Sequence, residues 1–529
     1  MKRWNGWGDE SVDMHLAPTA KALLAELVGE GEPQQDVSLE ATIARVPTSR
    51  LPAHPLVDRD PEVRLRHAAG QSFPDWVHVR SGSLARFPDG VALPTTADEV
   101  RSLLRYADEV GARVIPYGGG TSVVGHLTTP AGEAPVLTIA TTRLNTLTHF
   151  DETNRLASFG AGVTGPDLEA ALRARGFTLG HYPQSFEYST LGGWVAARSS
   201  GQQSLGFGRI EDMFAGGTLH TPAGDLVTPP LPASAAGPDL RQMVLGSEGR
   251  MGILSEATVR VRALPDSERF HAVFFPDWAH GEQAVRAISQ EGFPLSMMRL
   301  SNALETRTNL ALAGKERLIK GLQQYLELRG VGEEGCMLIL GFTGSRELVK
   351  LSRRKALSIC KSYRGVHMYR MLGNAWRKNR FRTPYVRNGL WTMGFGVDTL
   401  ETCVSWSRVG QAMHDIEHAL RTALEPEGER THVFTHLSHF YSTGSSIYTT
   451  YLFRLAPTGE ETLRRWHKLK STASEAIVKH GGTISHQHGV GEDHRPYLVH
   501  EKTPLGIEAL KANCRFFDPN GMMNPGKLV

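Results

Sequence analysis

Three glycine-rich segments restrict what this chain can fold into more than any other feature of its sequence. They are "YGGGTSVVG" from Tyr117, "STLGGWVAARSSG" from Ser189 and "GSEGRMGIL" from Gly246. The first closes a readable unit, "VALPTTADEVRSLLRYADEVGARVIPYGGGTS" from Val91, which runs strand, helix, strand, glycine loop. Thr96 and Glu99 have capping-box spacing, and Val100, Leu103, Leu104 and Val110 recur at helical period. Val114 and Ile115 form a short buried strand, and Gly118, Gly119 and Gly120 follow. Consecutive glycines after a strand can turn several backbone N–H groups toward an anion. Two familiar phosphate fingerprints fail here. Val123 stands where the dinucleotide pattern needs its third glycine, and His126 follows Gly125 where a P-loop needs lysine. A tight turn is the competing explanation for one such loop. Three of them suit a diphosphate with a long organic body.

The second segment ends its own unit. Pro166 is expected at the first helical position, with Leu168, Ala171 and Leu172 on one face and Gly176 as the stop. A polar and aromatic loop, His181 to Thr190, then leads to Gly192 and Gly193. Size and composition set the remaining bounds. A chain of 529 residues is too long for one ordinary core. A net charge of +3 provides no bulk field that would select nucleic acid. The longest apolar runs, such as "CMLILGF", fall far short of a membrane span. The opening "MKRWNGWGDESVDMHL" lacks a long apolar run and an Ala-x-Ala site, so secretion is not expected. Cys336, Cys360, Cys403 and Cys514 lie far apart, which suits a reducing compartment and matches no zinc-finger spacing. Stretches 29–55 and 228–238 read as loops.

Residues 80–264 resemble the FAD-binding domain of the vanillyl-alcohol-oxidase superfamily, on the stretches "PYGGGTSVVGH", "PQSFEYSTLGGWVAARSSG" and "GSEGRMGIL". The rest of the chain is similar to the alkyldihydroxyacetonephosphate synthase family. The matching stretches are "WNGWG" at Trp4, "GNAWRKNRFRTPYVRN" at Gly373, "HLSHFYSTGSSIY" at His436 and "SHQHGVG" at Ser485. The resemblance implies an α+β flavoprotein with a two-subdomain, PCMH-type FAD-binding domain and an α+β cap. It also implies exchange of the acyl chain of acyl-dihydroxyacetone phosphate for a fatty alcohol, through a covalent adduct at flavin N5. The expected boundaries are 1–79 for an N-terminal helical segment and 80–264 for the FAD domain. Residues 265–460 form the cap, and 461–529 a C-terminal helical segment that returns to the flavin.

Carried over residue by residue, the resemblance implies a cofactor set on each glycine segment. The first supplies Pro116, Tyr117, Gly118, Gly119, Gly120, Thr121 and Ser122. The loop and second segment supply His181, Gln184, Ser185, Ser189, Thr190, Gly192, Gly193, Ala197, Arg198, Ser199 and Ser200. The third supplies Glu248, Gly249, Gly252 and Ile253. Relatives with covalent flavin use a histidine or cysteine on these loops. Thr121 and Ser122 occupy the first loop here, so non-covalent FAD is expected. Arg250 and Met251 stand where relatives usually carry Thr and Leu.

The stretch "HVFTHLSHFYSTGSSIYTTYLFRL" reads as a hairpin turning at Ser442 to Gly444. Alternation puts Ile447, Thr449, Tyr451 and Phe453 on one face and Tyr448, Thr450 and Leu452 on the other. Tyr448 is a strand tyrosine at the core edge or a general acid/base, and the family's catalytic tyrosine falls on it. Arg387 ends a run with Arg377, Lys378, Arg380 and Arg382. That run is a solvated charged face, or Arg387 holds the substrate phosphate, as the resemblance implies. Arg299 aligns with another substrate-side arginine; it follows an apolar run, where a buried anionic partner is expected.

Leu463, Trp466, Leu469, Ala473 and Ile477 give a helix stopped by Gly481. Thr483 to His488 is then expected as a short strand, with His486 and His488 on one face and Gln487 on the other. Two such histidines can begin a zinc site, but a third ligand is missing and no metal is expected. The resemblance implies that three consecutive histidines line the flavin and the substrate head group here. This sequence keeps the outer two and has Gln487 in the middle, which hydrogen-bonds but takes no proton at neutral pH. Further expectations are a cytoplasmic protein without a Ser-Lys-Leu tail, peripheral contact with a membrane's cytosolic face, and a homodimer. The alternatives are a FAD-dependent 2-hydroxy-acid dehydrogenase or oxidase of the same superfamily, or a non-catalytic flavin-binding protein.

Overall fold

The computed structural model describes residues 1–14, 16, 18–312 and 316–529. Its glycine segments sit where two small sheets meet. The first sheet has the order Val57–Asp58, Gly90–Ala92, Val136–Ala140, Arg113–Tyr117, with parallel pairing among the last three. Parallel neighbours need a crossover. The helix Ala97–Glu109 supplies it and buries Val100, Leu103, Leu104 and Ala107. Thr96 caps that helix through the Glu99 N–H at 3.2 Å. The Glu99 carboxylate does not close the expected box on Thr96. It reaches one residue further back, accepting from Thr95 N at 2.6 Å.

The second sheet is antiparallel, in the order Leu147–Asp151, Leu156–Gly160, Ile253–Arg260, Phe214–Thr221, Gly224–Thr228. The helix Gly165–Arg173 starts one residue earlier than expected, with Thr164 at its N-cap and Pro166 second. Gly192 and Gly193 lie inside a short helix, Leu191–Ala197, rather than in a loop. The predicted loop 29–55 also holds a short helix, Leu39–Ile43, capped by Ser38.

A seven-stranded antiparallel sheet forms the other half. Its order is Val366–His367, Ser267–Phe275, Cys336–Gly344, Met297–Ser301, His432–Phe440, Gly444–Arg454, Phe395–Ser405. The hairpin and its turn fall where alternation put them, and Ile447, Thr449, Tyr451 and Phe453 are all fully buried. The helices Trp278–Glu291, Arg346–Ser362 and Trp406–Thr422 cover an apolar face built from Val273, Phe275, Leu338 and Leu340. At the far end an aromatic cluster joins Phe73, Trp391, Phe453 and Trp466, with Phe73 stacked on Trp466 at 6.1 Å. Each such ring pair adds about 0.5–1.5 kcal/mol beyond its buried area.

Both chain ends run back to the first glycine loop. Lys2 Nζ donates to Gly119 O at 2.6 Å. Val114 N donates to Met522 O at 2.8 Å, and the Asn524 side chain donates to Glu248 O at 2.7 Å. Among the described residues, no helix is long and apolar enough to cross a membrane, and no group of three His, Cys, Asp or Glu could hold a metal ion.

Candidate active site

A cleft follows the three glycine segments. Pro116 to Ser122 line it, with Ser185, Ser189, Thr190, Gly192, Gly193, Ala197, Ser199, Glu248, Gly249, Gly252 and Ile253. Gln487, His488, His126 and Asn524 complete the wall. Four members of the predicted cofactor set stand outside this lining. Gln184 is exposed, Arg198 turns to Gln242 and Glu211, and His181 and Ser200 are buried behind the wall.

The glycines are there because the loops pack backbone against backbone. A Cβ on Gly119 would sit 1.8 Å from Tyr188 O, and one on Gly118 would sit 2.4 Å from Thr190 Oγ1. A Cβ on Gly249, where φ is +74°, would press on Pro116 at 2.8 Å. A long cleft with such bare walls fits the backbone approach that a bound dinucleotide needs, and the residues present therefore fit FAD. Glu248 is the brace behind it. Its carboxylate accepts from Val490 N at 2.5 Å and Gly491 N at 2.9 Å, and faces His126 Nε2 at 3.1 Å. Burial alone would raise this carboxyl, but His126 and the two N–H groups hold it below its usual range.

The facing wall comes from the seven-stranded sheet. Tyr448 lies in register between Glu401 on one neighbouring strand and His436 on the other. Its ring stacks on His436 at 4.8 Å and meets His488 edge-on at 5.9 Å, while its hydroxyl donates to Thr399 Oγ1 at 3.2 Å. Burial pushes the phenol far above its ordinary range, so it rests protonated. His436 and Arg299 share one buried carboxylate, Glu305 Oε1, at 3.1 and 2.5 Å. This is the anionic partner expected for Arg299. Burial opposes the charge of Glu305, but His436 and Arg299 hold its carboxyl down to about 2.

The segment carrying the two histidines is not a strand. Gly481, Gly489 and Gly491 all have positive φ, and the carboxylate of Glu401 takes the N–H groups that a ladder would have used. Glu401 Oε1 accepts from Gln487 N at 3.1 Å, His488 N at 3.0 Å and the Ser485 hydroxyl at 2.9 Å. Its Oε2 lies 2.7 Å from His488 Nδ1. The expected facing is corrected as well: Gln487 and His488 line the cleft together. His486 turns away to Arg209 NH1 at 2.9 Å and the Tyr441 hydroxyl at 2.7 Å. Gln487 Oε1 is buried beside the rings of His439 and His486.

His181 is buried against Trp194, with Nε2 2.9 Å from Ser199 Oγ. Burial, helped by Arg209, pulls its pKa down to about 3, so it is neutral. Arg387 is not on a solvated face. Its guanidinium lies 4.1 Å from the Trp76 ring centroid and donates to Gln71 O at 2.6 Å, and its NH2 group has no partner. Burial, eased by Asp398, pulls it down to about 10. Gln71 and Trp76 line a second cavity behind the first glycine loop, with Lys2 and Gly118 to Gly120. Among the described contacts Arg387 meets neither Tyr448 nor the histidine segment.

Sequence reasoning missed Glu401, Glu305, His436, His439, Arg209, Tyr441 and His126. The two glutamates left a faint signal. Glu401 sits at an inward position of an alternating strand, and Glu305 three residues after Asn302, whose side chain caps its N–H at 2.8 Å.

Residues 88–228 match the family described as FAD binding domain, and residues 264–528 match FAD linked oxidases, C-terminal domain. The whole chain aligns with 93% of the alkyldihydroxyacetonephosphate synthase of Dictyostelium discoideum at 29% identity. A solved structure of an alkyldihydroxyacetonephosphate synthase superposes with a TM-score of 0.86 at 26% identity, covering 100% of this chain and 99% of that one. A mitochondrial D-lactate dehydrogenase (cytochrome) of Arabidopsis thaliana is 26% identical over 84% of this chain and 73% of its own length. The fold is thus the vanillyl-alcohol-oxidase type, with a PCMH-like FAD-binding domain and an α+β cap.

Proposed function

This chain belongs to the FAD-linked oxidases, and from that premise we propose that it acts as a transferase of the alkyldihydroxyacetonephosphate synthase kind. It exchanges the acyl chain of an acyl-dihydroxyacetone phosphate for a long-chain alcohol. One C–O bond breaks and releases the fatty acid, one C–O bond forms to the alcohol oxygen, and no net oxidation occurs. Bound FAD supplies the ring chemistry through which the substrate carbon passes from one oxygen to the other.

The observation that carries the reading is the pair Tyr448 and His488, held in contact in front of a fixed carboxylate. Glu401 Oε2 sits 2.7 Å from His488 Nδ1 and holds that edge of the ring, which leaves Nε2 as the ring atom that exchanges a proton with substrate. The protonated phenol of Tyr448 beside it is an acid. A site that removes a proton from substrate carbon or alcohol, and returns one to carbon, uses such a pair. Gln487 adds an amide to the same wall and takes no part in proton transfer. Arg299 supports the wall through Glu305 and His436. Arg387 has an unmet N–H pair and holds the phosphate end. FAD is held non-covalently: the histidine nearest the first loop, His126, is engaged by Ser122 at 2.8 Å and by Glu248.

A second reading, oxidation of a 2-hydroxy acid, draws on the similarity to the plant D-lactate dehydrogenase. One experiment separates the two. The FAD-loaded protein is mixed without oxygen with acyl-dihydroxyacetone phosphate and an 18O-labelled long-chain alcohol. The transferase reading expects labelled ether product, released fatty acid and a flavin that ends oxidised. Bleaching by D-lactate, with no ether formed, favours the dehydrogenase.

A further inference from the structure

The first glycine loop has two sides. Pro116 to Ser122 line the FAD cleft in front, and Gly118 to Gly120 line the second cavity behind, with Lys2, Arg3, Arg66 and His67. Lys2 reaches the loop from the rear and donates from Nζ to Gly119 O at 2.6 Å. A short N-terminal hairpin carries it there. Lys2 pairs with Asp9 across the hairpin, and Arg3 N donates to Gly8 O at 2.8 Å. The hairpin is pinned to the rest of the fold at three points. Arg66 NH1 donates to Lys2 O at 3.2 Å, and the Gln71 amide donates to Gly6 O at 3.3 Å. The Asn388 side chain takes both backbone groups of Trp7, at 3.0 and 2.9 Å.

In a trans peptide the C=O and N–H point in opposite directions. Gly119 O points rearward to Lys2, so the Gly120 N–H of the same peptide points forward to the cleft. Among the described residues that N–H has no protein acceptor. Glycines on both sides leave this peptide free to turn over, because neither has a Cβ to oppose the change. Turned over, it would present an oxygen to an anion in the cleft. The bond to Lys2 removes that freedom. The ammonium is also without a counter-charge. Asp75 and Glu187 line the same cavity but bond elsewhere, Asp75 to Gly70 N and Ser72 N and Glu187 to the Tyr385 hydroxyl. Burial lowers the Lys2 ammonium to about 8, with no carboxylate offsetting it. A desolvated cation of this kind is costly until an anion comes near.

We propose that Lys2 is a positioning residue for the cofactor: it clamps the Gly119–Gly120 peptide from behind, so that the Gly120 N–H faces the cleft and donates to the diphosphate of FAD. A cation on the carbonyl oxygen also polarises the peptide and strengthens its N–H as a donor. The diphosphate in turn supplies the missing counter-charge through one peptide unit. The proposal rests on FAD binding and is independent of the transferase reading. Lys2 acts only through the loop in this scheme.

The test uses the full-length protein freed of flavin. ADP is the probe that carries the diphosphate, and adenosine the one that lacks it. Glycine labelled with 13C at the carbonyl and 15N at the amide restricts a carbonyl–amide spectrum to glycine–glycine peptides. The Gly119–Gly120 signal is the one lost in Gly119→Ala and kept in Gly118→Ala. In the parent, ADP should move the Gly120 amide proton downfield, and adenosine should leave it in place. Lys2→Met should bind FAD and ADP about tenfold or more weakly, and adenosine as the parent does. Lys2→Arg, which keeps the charge and a donor, should recover most of that loss. A Gly120 proton indifferent to ADP in the parent overturns the proposal, even if Lys2→Met fails to fold. Unchanged FAD affinity in Lys2→Met overturns the clamp. Equal weakening of ADP and adenosine overturns it too, because a merely structural contact would cost both alike.

Discussion

The two walls of the cleft are built by opposite means. The FAD-side wall is backbone: Gly118, Gly119, Gly192 and Gly249 let loops approach so closely that a methyl group would not fit. The cap-side wall is side chains, held by buried carboxylates. Glu401 organises the histidine segment, and Glu305 organises Arg299 and His436. A backbone wall tolerates no added atom, and its buried charge, Glu248, stands behind the glycine loops. A side-chain wall tolerates changes of shape but fails when one charge is removed, because each carboxylate serves several donors at once. The walls should therefore fail separately, the first in cofactor binding and the second in turnover.

The largest effect should come from Glu401→Gln. It keeps the shape, and it removes the charge that fixes His488 and three other donors. General acid–base groups contribute about 10²- to 10⁴-fold in rate, so kcat should fall by that order while FAD content stays normal. Loss of FAD in this variant would show that the walls are not independent. Gly119→Ala should do the reverse. Its Cβ would meet Tyr188 O at 1.8 Å, and overpacking of this kind costs roughly 1–3 kcal/mol. Titration of apoprotein should find FAD bound about 10- to 100-fold more weakly, with near-parent kcat once saturated. Unchanged FAD affinity would remove the argument for a backbone-built wall.

Asp493 lies on the seam between the walls. Its backbone N–H approaches Val124 O at 3.4 Å, and its Oδ2 is buried without a partner. Burial raises its carboxyl to about 7, with Lys470 opposing the shift and Asp398, Asp75 and Glu492 adding to it. A carboxyl raised in the fold binds a proton that the unfolded chain has already lost. Its stabilising contribution is complete below about pH 4 and disappears as pH rises through about 7. Asp493→Asn should therefore gain on the parent as pH rises from about 4 to about 7, by about 1–3 kcal/mol more at pH 8 than at pH 5. Denaturant melts at the two pH values check this; an equal difference at both would place the carboxylate in water instead.

The same contrast explains what the sequence disclosed. Backbone constraints are local, so the glycine loops, the crossover helix and the hairpin at Tyr448 could be read from adjacent residues. The carboxylate partners are distant in sequence. Nothing within Thr483 to His488 shows that Glu401 will take its N–H groups, and an alternating polar stretch without that partner reads as a strand. His486 was read as facing the flavin for the same reason, since Arg209 and Tyr441 reach it from two other elements. Arg299 was legible in part, because a charge after an apolar run calls for a counter-charge, although Glu305 could not be named.

The central claim is that the cap-side wall moves protons on the substrate through Tyr448. Tyr448→Phe keeps the ring stacked on His436 and removes only the hydroxyl. The decisive measurement is the rate at which the substrate C–H next to the ketone exchanges with deuterated water, followed in the FAD-loaded parent and in Tyr448→Phe beside ether formation. The account predicts that both rates fall together by about 10²-fold or more with FAD retained. Exchange and ether formation at parent rates in Tyr448→Phe would contradict it.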